Sequence, residues 1–179
     1  MYVITDCRVN SLYLTSLKEI GFGAILVSPA EYLQPSVASH TDMLMVLGFG
    51  KLFCHQRYYQ KNKEIIDNIV SSGGLKLSLS NEPTGDKYPH DVLFNACILG
   101  RKIICNKKTV SNLILDAAKD NGCEIINVPQ GYTKCSVCVV DENAIITADK
   151  AIAKTCRSRN IDVLTISEGY ISLPPYNFG

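Results

Sequence analysis

Two histidine and aspartate pairs stand at corresponding places, each just before a stretch that predicts a pair of strands. His40 and Asp42 precede the first stretch, and His90 and Asp91 precede the next. Histidine titrates near neutral pH and can transfer protons, and aspartate supplies a negative charge. The alternative interpretation is that these residue types form turns by bonding to the backbone where strands begin. The four residues are therefore candidates for a site, with both interpretations open.

The cysteines offer a second kind of chemistry. Cys135 and Cys138 have the CxxC spacing of some metal and redox sites. The pattern around them predicts a strand, where side chains three apart point to opposite faces and could not readily reach one ion. A redox pair would begin a helix, whereas a strand and a turn follow here. Cys135 alone remains a candidate to line a site, because it stands at a strand start that corresponds to the region of Asp91.

A third combination, Cys54 beside His55, is less suited to catalysis. Neighbouring side chains on a strand alternate, so the thiol and the imidazole could not form a nucleophile and base pair without a bend. The polar stretch that follows predicts the start of a helix, with Arg57 and the tyrosines beside it exposed. No glycine-rich phosphate loop, HExxH zinc pattern or GxSxG elbow is present in the sequence.

Composition limits the class of protein. The 179 residues are 46% hydrophobic and 20% charged, which is typical of one globular domain. The formal net charge of +1 gives no field that would attract nucleic acid or an anionic membrane. The apolar runs are too short to span a bilayer, and the N-terminus lacks the pattern of a signal peptide. We therefore expect a cytoplasmic protein whose 8 cysteines stay reduced and mostly fill apolar strands. The sequence does not indicate an oligomeric state.

The elements that must position these residues recur along the chain. Amphipathic helices are predicted to stop at Gly21, Gly73, Gly122 and Asn160. The stops recur at intervals of about 40 to 50 residues, a range typical of repeat architectures. Each stop is followed by a short aliphatic strand, and two more strands joined by a tight turn precede each of the later helices. The predicted unit is therefore strand, strand, helix, strand.

The units define a single domain over residues 1–179. Their predicted bounds are 1–28, 40–80, 89–128 and 133–167, with 168–179 beginning a final unit. The first unit starts at its second strand, and residues 170–173 are placed to complete it. We expect a missing final unit of about forty residues, from the repeat length. Helices would lie outside, and short strands would surround a central channel. An ordinary parallel α/β sheet is the alternative, but it would need only one strand per helix.

With this pattern, the chain resembles the pentein, or guanidino-group-modifying-enzyme, superfamily of α/β propellers with repeated ββαβ units. The resemblance covers nearly the whole sequence as pattern. The stretches SHTD, PHDVLF and GRKIIC are similar to a bacterial family of unknown function that is assigned to this fold.

The resemblance implies a site at the starts of the inner strands, facing the channel. Asp42 or Asp91 would hold a guanidinium through paired hydrogen bonds, with His40 nearby, and His90 would transfer protons. Enzymes of this superfamily attack the guanidinium carbon with a cysteine thiolate and need no metal or organic cofactor. Cys135 is the candidate here. The superfamily's nucleophile normally lies in the last unit, and this sequence has no cysteine after Cys156, which is predicted to be buried on a helix.

Two functions follow from the resemblance. The first is a cofactor-independent hydrolase or transferase, or a relative of one, that recognises a small guanidino compound. The second is a non-catalytic binding or scaffold protein, as in the translation factor of this superfamily that keeps ribosomal subunits apart. The absence of a late cysteine favours the second.

Overall fold

The chain folds as four successive units, seen in a computed structural model that describes residues 1–169. The first unit consists of β1 (Tyr2–Asp6), α1 (Ser11–Glu19) and β2 (Gly23–Val27). The second consists of α2 (Thr41–Leu44), β3 (Met45–Gly48), β4 (Lys51–His55), α3 (Gln56–Lys61), α4 (Lys63–Gly73) and β5 (Lys76–Ser80). The third consists of β6 (Cys97–Leu99), β7 (Lys102–Cys105), α5 (Asn112–Asp120) and β8 (Glu124–Asn127). The fourth consists of β9 (Cys138–Asp141), β10 (Ala144–Thr147), α6 (Lys150–Arg157) and β11 (Asp162–Thr165).

Each unit forms its own small sheet. In the second, third and fourth units the first two strands pair antiparallel, and the strand after the helix pairs parallel with the middle strand. In the first unit only the parallel pair β1–β2 is present among the described residues. The ββαβ order predicted from the sequence is confirmed. Four separate sheets exclude the alternative of one continuous parallel sheet for this part of the chain.

The helix ends follow from local sequence. The side chains of Asn10, Ser111 and Asp149 accept hydrogen bonds from backbone amides in the first turns of α1, α5 and α6. Beyond the other end, Gly122 and Asn160 have φ values of 62° and 55°. This left-handed conformation stops a helix, and glycine and asparagine adopt it most readily. The predicted helix stops are therefore confirmed, except that the left-handed residue after α4 is Gly74 rather than Gly73.

Three sequence expectations were wrong in detail. Tyr58 is buried, because its ring packs in the core and its hydroxyl donates to the Ser28 carbonyl oxygen at 2.8 Å. The apolar stretch before β6 forms turns rather than strand, so β6 begins only at Cys97. Cys135 likewise lies in a turn, and the strand of its unit begins three residues later, at Cys138.

The core consists of three clusters, each shared by two consecutive units. Val27 of the first unit packs with Leu52 and Ile66 of the second. Phe53 of the second unit packs with Ile103 and Ile114 of the third, and Ile126 of the third packs with Ile145 and Ile152 of the fourth. Packing between neighbours therefore holds the units in sequence order.

Two expectations concern what lies outside these elements. The predicted completion of the first unit by residues 170–173 lies outside the described residues, as does most of the predicted final unit. Closure around a central channel stays a prediction. Within the described part of the chain, no helix is both long and apolar enough to cross a membrane.

Candidate functional site

The segments just before the first strands of three units, helix α2 and two turns, meet at one point. Asp42 lies three residues before β3, Asn95 two residues before β6, and Cys135 three residues before β9. The Cys135 thiol donates to Asp42 Oδ2, with 2.9 Å between sulfur and oxygen. Asn95 Nδ2 lies 3.0 Å from the same sulfur. Because equivalent positions of successive repeats converge, the repeat itself assembles this cluster.

Asn95 is the centre of the cluster. It is buried, and its Oδ1 accepts from the backbone amides of Lys134 at 2.6 Å and of Cys135 at 3.3 Å. Its Nδ2 also lies 3.3 Å from the Asp42 carbonyl oxygen and from Met43 Sδ. An amide that offers both donors and an acceptor can hold two neighbouring segments at once, here α2 and the turn of Cys135. Asn95 therefore holds Cys135 in position against Asp42.

The charge of Asp42 affects the ionisation of the Cys135 thiol. The pKa of Cys135 is raised mainly because its sulfur is removed from water. The negative charge of Asp42, and the hydrogen bond between the Asp42 carboxylate and the thiol, raise this pKa further. The residue as a whole is exposed, so the loss of water concerns the sulfur end, which is enclosed by Asp42 and Asn95. The thiol is therefore protonated at neutral pH and acts as a hydrogen-bond donor.

The Asp42 carboxylate is half-buried and retains binding capacity. Its Oδ2 accepts the thiol, and no described residue donates to its Oδ1. A carboxylate oxygen without a hydrogen-bond donor can accept a hydrogen bond from an N–H group of a cation. Within the described residues, no group of three or more His, Cys, Asp or Glu residues is arranged to hold a metal ion.

Asp91 lies in the same segment as Asn95, before β6, and its partner Tyr132 lies in the same segment as Cys135, before β9. Asp91 is buried, and its Oδ2 accepts from the Tyr132 hydroxyl at 2.5 Å. Its Oδ1 is also buried and has no hydrogen-bond partner among residues 1–169. The Asp91–Tyr132 pair forms a second connection between the turns, beside the one made by Asn95.

The two histidines are directed elsewhere. His40 Nε2 lies 3.9 Å from Asp6 Oδ2, whose pKa is held well below its usual range, first by the side-chain hydrogen bond from Arg8. His90 is exposed and lines a cavity of ≈ 290 Å³ together with Lys107 and other residues, none of which is Asp42 or Cys135. In the described part of the chain, no hydrogen bond joins a histidine ring to a cysteine sulfur.

The structure thus brings two of the five candidates, Asp42 and Cys135, into direct contact. Sequence reasoning missed Asn95, although a signal for it existed. Aligning the repeats on the starts of β3 and β6 places Asn95 nearly opposite Asp42, whereas aligning them on the histidines selects Asp91.

The fold is shared with solved enzymes. DDAH from Pseudomonas aeruginosa, in a mutant form complexed with citrulline, superposes with a TM-score of 0.60 at 11% identity, covering 92% of this chain and 75% of that one. A dimethylarginine dimethylaminohydrolase adduct with S-methyl-L-thiocitrulline gives a TM-score of 0.59 at 11% identity, with coverages of 92% and 75%. SxtG, an amidinotransferase from Microseira wollei, gives 0.57 at 12% identity, covering 91% of this chain and 62% of that one.

These similarities define the class: the chain has the pentein fold. No curated protein has a matching sequence. Residues 4–179 match the family described as "Family of unknown function (DUF6873)", and the chain belongs to that family.

Proposed function

We propose that this protein binds a small guanidino- or amidino-type cation at the cluster of Asp42, Asn95 and Cys135, without forming a covalent bond to Cys135. The observation that carries the proposal is the Asp42 carboxylate, which has one oxygen held by a thiol and the other open, where three repeat units meet. Two solved structures of this fold support a ligand with a planar group of this shape: DDAH complexed with citrulline, which ends in a neutral urea group, and a dimethylarginine dimethylaminohydrolase adduct with S-methyl-L-thiocitrulline, which ends in an amidino-type isothiourea.

The carboxylate suits a planar cation. A guanidinium presents two parallel N–H donors, and a charge-assisted hydrogen bond to a partly buried carboxylate contributes about 1.5–3 kcal/mol. Asp91, which accepts a hydrogen bond from Tyr132 through Oδ2, has no partner at Oδ1 among residues 1–169. Its carboxylate adds negative charge close to the segments that carry Asn95 and Cys135. Both carboxylates therefore favour a cation over an anion or a neutral ligand.

The state of Cys135 favours binding over covalent catalysis. A thiol is a nucleophile only as thiolate, and both the enclosed sulfur and the Asp42 charge oppose its ionisation. No histidine among residues 1–169 is hydrogen-bonded to this thiol to act as its base. A hydrolase or transferase remains the alternative, and a turnover assay tests it.

Binding is tested by calorimetry and by thermal shift with arginine, agmatine and methylarginines. We expect at least one of these cations to bind, and Asp42→Asn to weaken its binding by about tenfold or more, since the charge of the carboxylate is lost. Asp116→Asn is the matched control, because Asp116 is exposed on α5 and its side chain pairs only with Lys119 among residues 1–169. Equal affinity of Asp42→Asn and the parent chain would exclude the proposed site.

Turnover is measured with the same compounds by release of ammonia, amines or urea. We expect no release, and we expect Cys135→Ser to retain binding, because serine still donates a hydrogen bond to Asp42. Release that disappears in Cys135→Ser would replace our proposal with the enzymatic alternative.

We also propose a cytoplasmic location. All 8 cysteines are unpaired in the structure, and Cys54, Cys97, Cys105 and Cys156 are buried as thiols. Unpaired thiols in this number fit a reducing compartment.

A further inference from the structure

A cavity of ≈ 390 Å³ lies between the segment that follows β2 and helix α3. This volume is large enough for a small molecule. The charged residues that line the cavity are Glu31, Arg57 and Lys61. None of the residues of the Asp42, Asn95 and Cys135 cluster lines it, so the cavity is separate from the candidate site described above.

The cavity carries one positive charge that the residues around it leave uncompensated. Lys61 forms an ion pair with Glu31, so the charges of these two side chains cancel. The guanidinium of Arg57 has no hydrogen-bond acceptor among residues 1–169, although its backbone amide has one. Arginine stays protonated in proteins and offers five N–H donors. Arg57 can therefore bind an anion without giving up a partner in this part of the chain.

Arg57 is also held in place. Its guanidinium carbon lies 5.0 Å from the centroid of the Tyr32 ring, and its backbone amide donates to His55 Nδ1 at 3.1 Å. The Tyr32 ring packs against the ring of buried His55, with 5.7 Å between centroids. His55 Nε2 in turn lies 3.0 Å from the Glu82 carbonyl oxygen, which fixes the imidazole. A guanidinium that stacks on a ring keeps the N–H groups along its edge free for a planar acceptor.

We propose that this cavity binds a small carboxylate with a short apolar body, and that the carboxylate accepts two parallel hydrogen bonds from Arg57. A carboxylate has one negative charge, which matches the single uncompensated charge, and its two oxygens match the edge of the guanidinium. Pro29 and the ring of Tyr32 supply apolar surface for the body of the ligand. This inference does not depend on the proposed function.

The first test is an NMR titration of the isotope-labelled 179-residue chain with benzoate at pH 7 and constant ionic strength. We expect the Nε–H signal of Arg57 to shift in a saturable way with benzoate. It should not shift with benzamide, which has the same ring and no charge. Absence of a saturable shift, or an equal response to benzamide, would overturn the proposal. Inorganic phosphate is titrated in the same way, and tighter binding of phosphate than of benzoate would overturn the assigned ligand class.

The second test uses variants of the arginine. Arg57→Gln should weaken benzoate binding by about tenfold or more, because both the charge and the paired donors are lost. Arg57→Lys keeps the charge without the paired donors, so its affinity should lie between those of Arg57→Gln and the parent chain. The backbone amide signals of the cavity report binding in each variant and show that the variant is folded.

Two controls separate this site from other arginines and from the candidate site. Arg101→Gln is the matched control, because Arg101 is also exposed but stacks on no aromatic ring among residues 1–169. Arg101→Gln and Asp42→Asn should both leave benzoate binding unchanged. Equal affinity of Arg57→Gln and the parent chain would exclude Arg57 as the anchor, and full affinity of Arg57→Lys would exclude the paired hydrogen bonds.

Discussion

At the scale of single residues, the contact between Asp42 and Cys135 determines what the site can do. A carboxylate beside a thiol opposes formation of the thiolate, so the two groups form a donor and acceptor pair instead of a nucleophile. A cation bound to Asp42 would compensate part of that negative charge. The reactivity of Cys135 therefore reports on the charge and occupancy of Asp42.

The prediction at this scale concerns Asp42→Asn. Removing the negative charge lowers the pKa of Cys135, although the enclosed position of the sulfur still holds it above the ordinary value. We expect the alkylation of Cys135 by iodoacetamide at pH 8 to become several-fold faster, measured by peptide mass spectrometry. Cys138, also exposed and in the same protein, serves as the internal control. An unchanged Cys135 rate would mean that the charge of Asp42 does not influence the thiol.

The candidate site was only partly predictable from the sequence. Asp42 and Cys135 were found because both are reactive residue types just before predicted strands. Asn95 was not found, because its role depends on contacts with two other units of the chain. The pattern of neighbouring residues in the sequence does not show which distant segments come together. His90 was selected because histidine can transfer protons, but in the structure it lines a cavity to which neither Asp42 nor Cys135 contributes.

At the scale of elements, the ends of the helices are the features that local sequence determines best. Left-handed residues end α5 and α6 at equivalent positions, as glycine in one and asparagine in the other. The amphipathic stripes and these stops were predictable because they depend on neighbours within a few residues. The residues at which β6 and β9 begin were not predictable, because the turns before these two strands contain the same apolar residue types as the strands themselves.

The equivalence of Gly122 and Asn160 yields a prediction. Gly122→Ala should lower the free energy of unfolding by about 1 kcal/mol, because alanine is strained at positive φ. Gly122→Asn should cost clearly less, since asparagine occupies the same conformation in the fourth unit. Urea unfolding of the two variants measures the difference. Equal losses would show that contacts of the added side chain with Arg101, rather than backbone strain, set the cost.

A second prediction concerns the start of α5. Glu82 accepts hydrogen bonds from Ser111, from Asn112 and from Ser80, so its carboxylate occupies the positive end of the helix. Burial alone would raise the pKa of Glu82, but these hydrogen bonds lower it below 4.5 overall. The carboxylate therefore stabilises the folded chain above about pH 4.5, and this contribution is lost as pH falls through the lower folded value.

Glu82→Gln should therefore reduce the free energy of unfolding by about 1–2 kcal/mol at pH 7. The difference from the parent chain should shrink on acidification below pH 4.5, as the parent carboxylate becomes protonated. Urea unfolding at several pH values measures this. Glu64→Gln, in the first turn of α4, is the control, because no side-chain hydrogen bond joins Glu64 to a described residue. A difference that stays constant with pH would exclude the assigned role of the carboxylate.

At the scale of the whole molecule, the cores shared between units determine stability. No described unit buries its helix alone, since each cluster takes residues from two consecutive units. This chain shares its fold with DDAH at only 11% identity, and in this chain the contacts between consecutive units are all of one kind, hydrophobic clusters to which both units contribute. Damage at one junction should consequently weaken both of the units that meet there.

Phe53 tests this coupling. It lies on β4 of the second unit, is buried, and packs with Leu93, Ile103 and Ile114 of the third unit. Phe53→Ala should lower the free energy of unfolding by about 3–5 kcal/mol through the cavity it leaves. Hydrogen exchange should then accelerate both in β4 and in α5, because the lost ring served both units. Leu113→Ala, exposed on α5, should change neither. Faster exchange confined to the second unit would mean that the units are stable independently and that the junctions only align them.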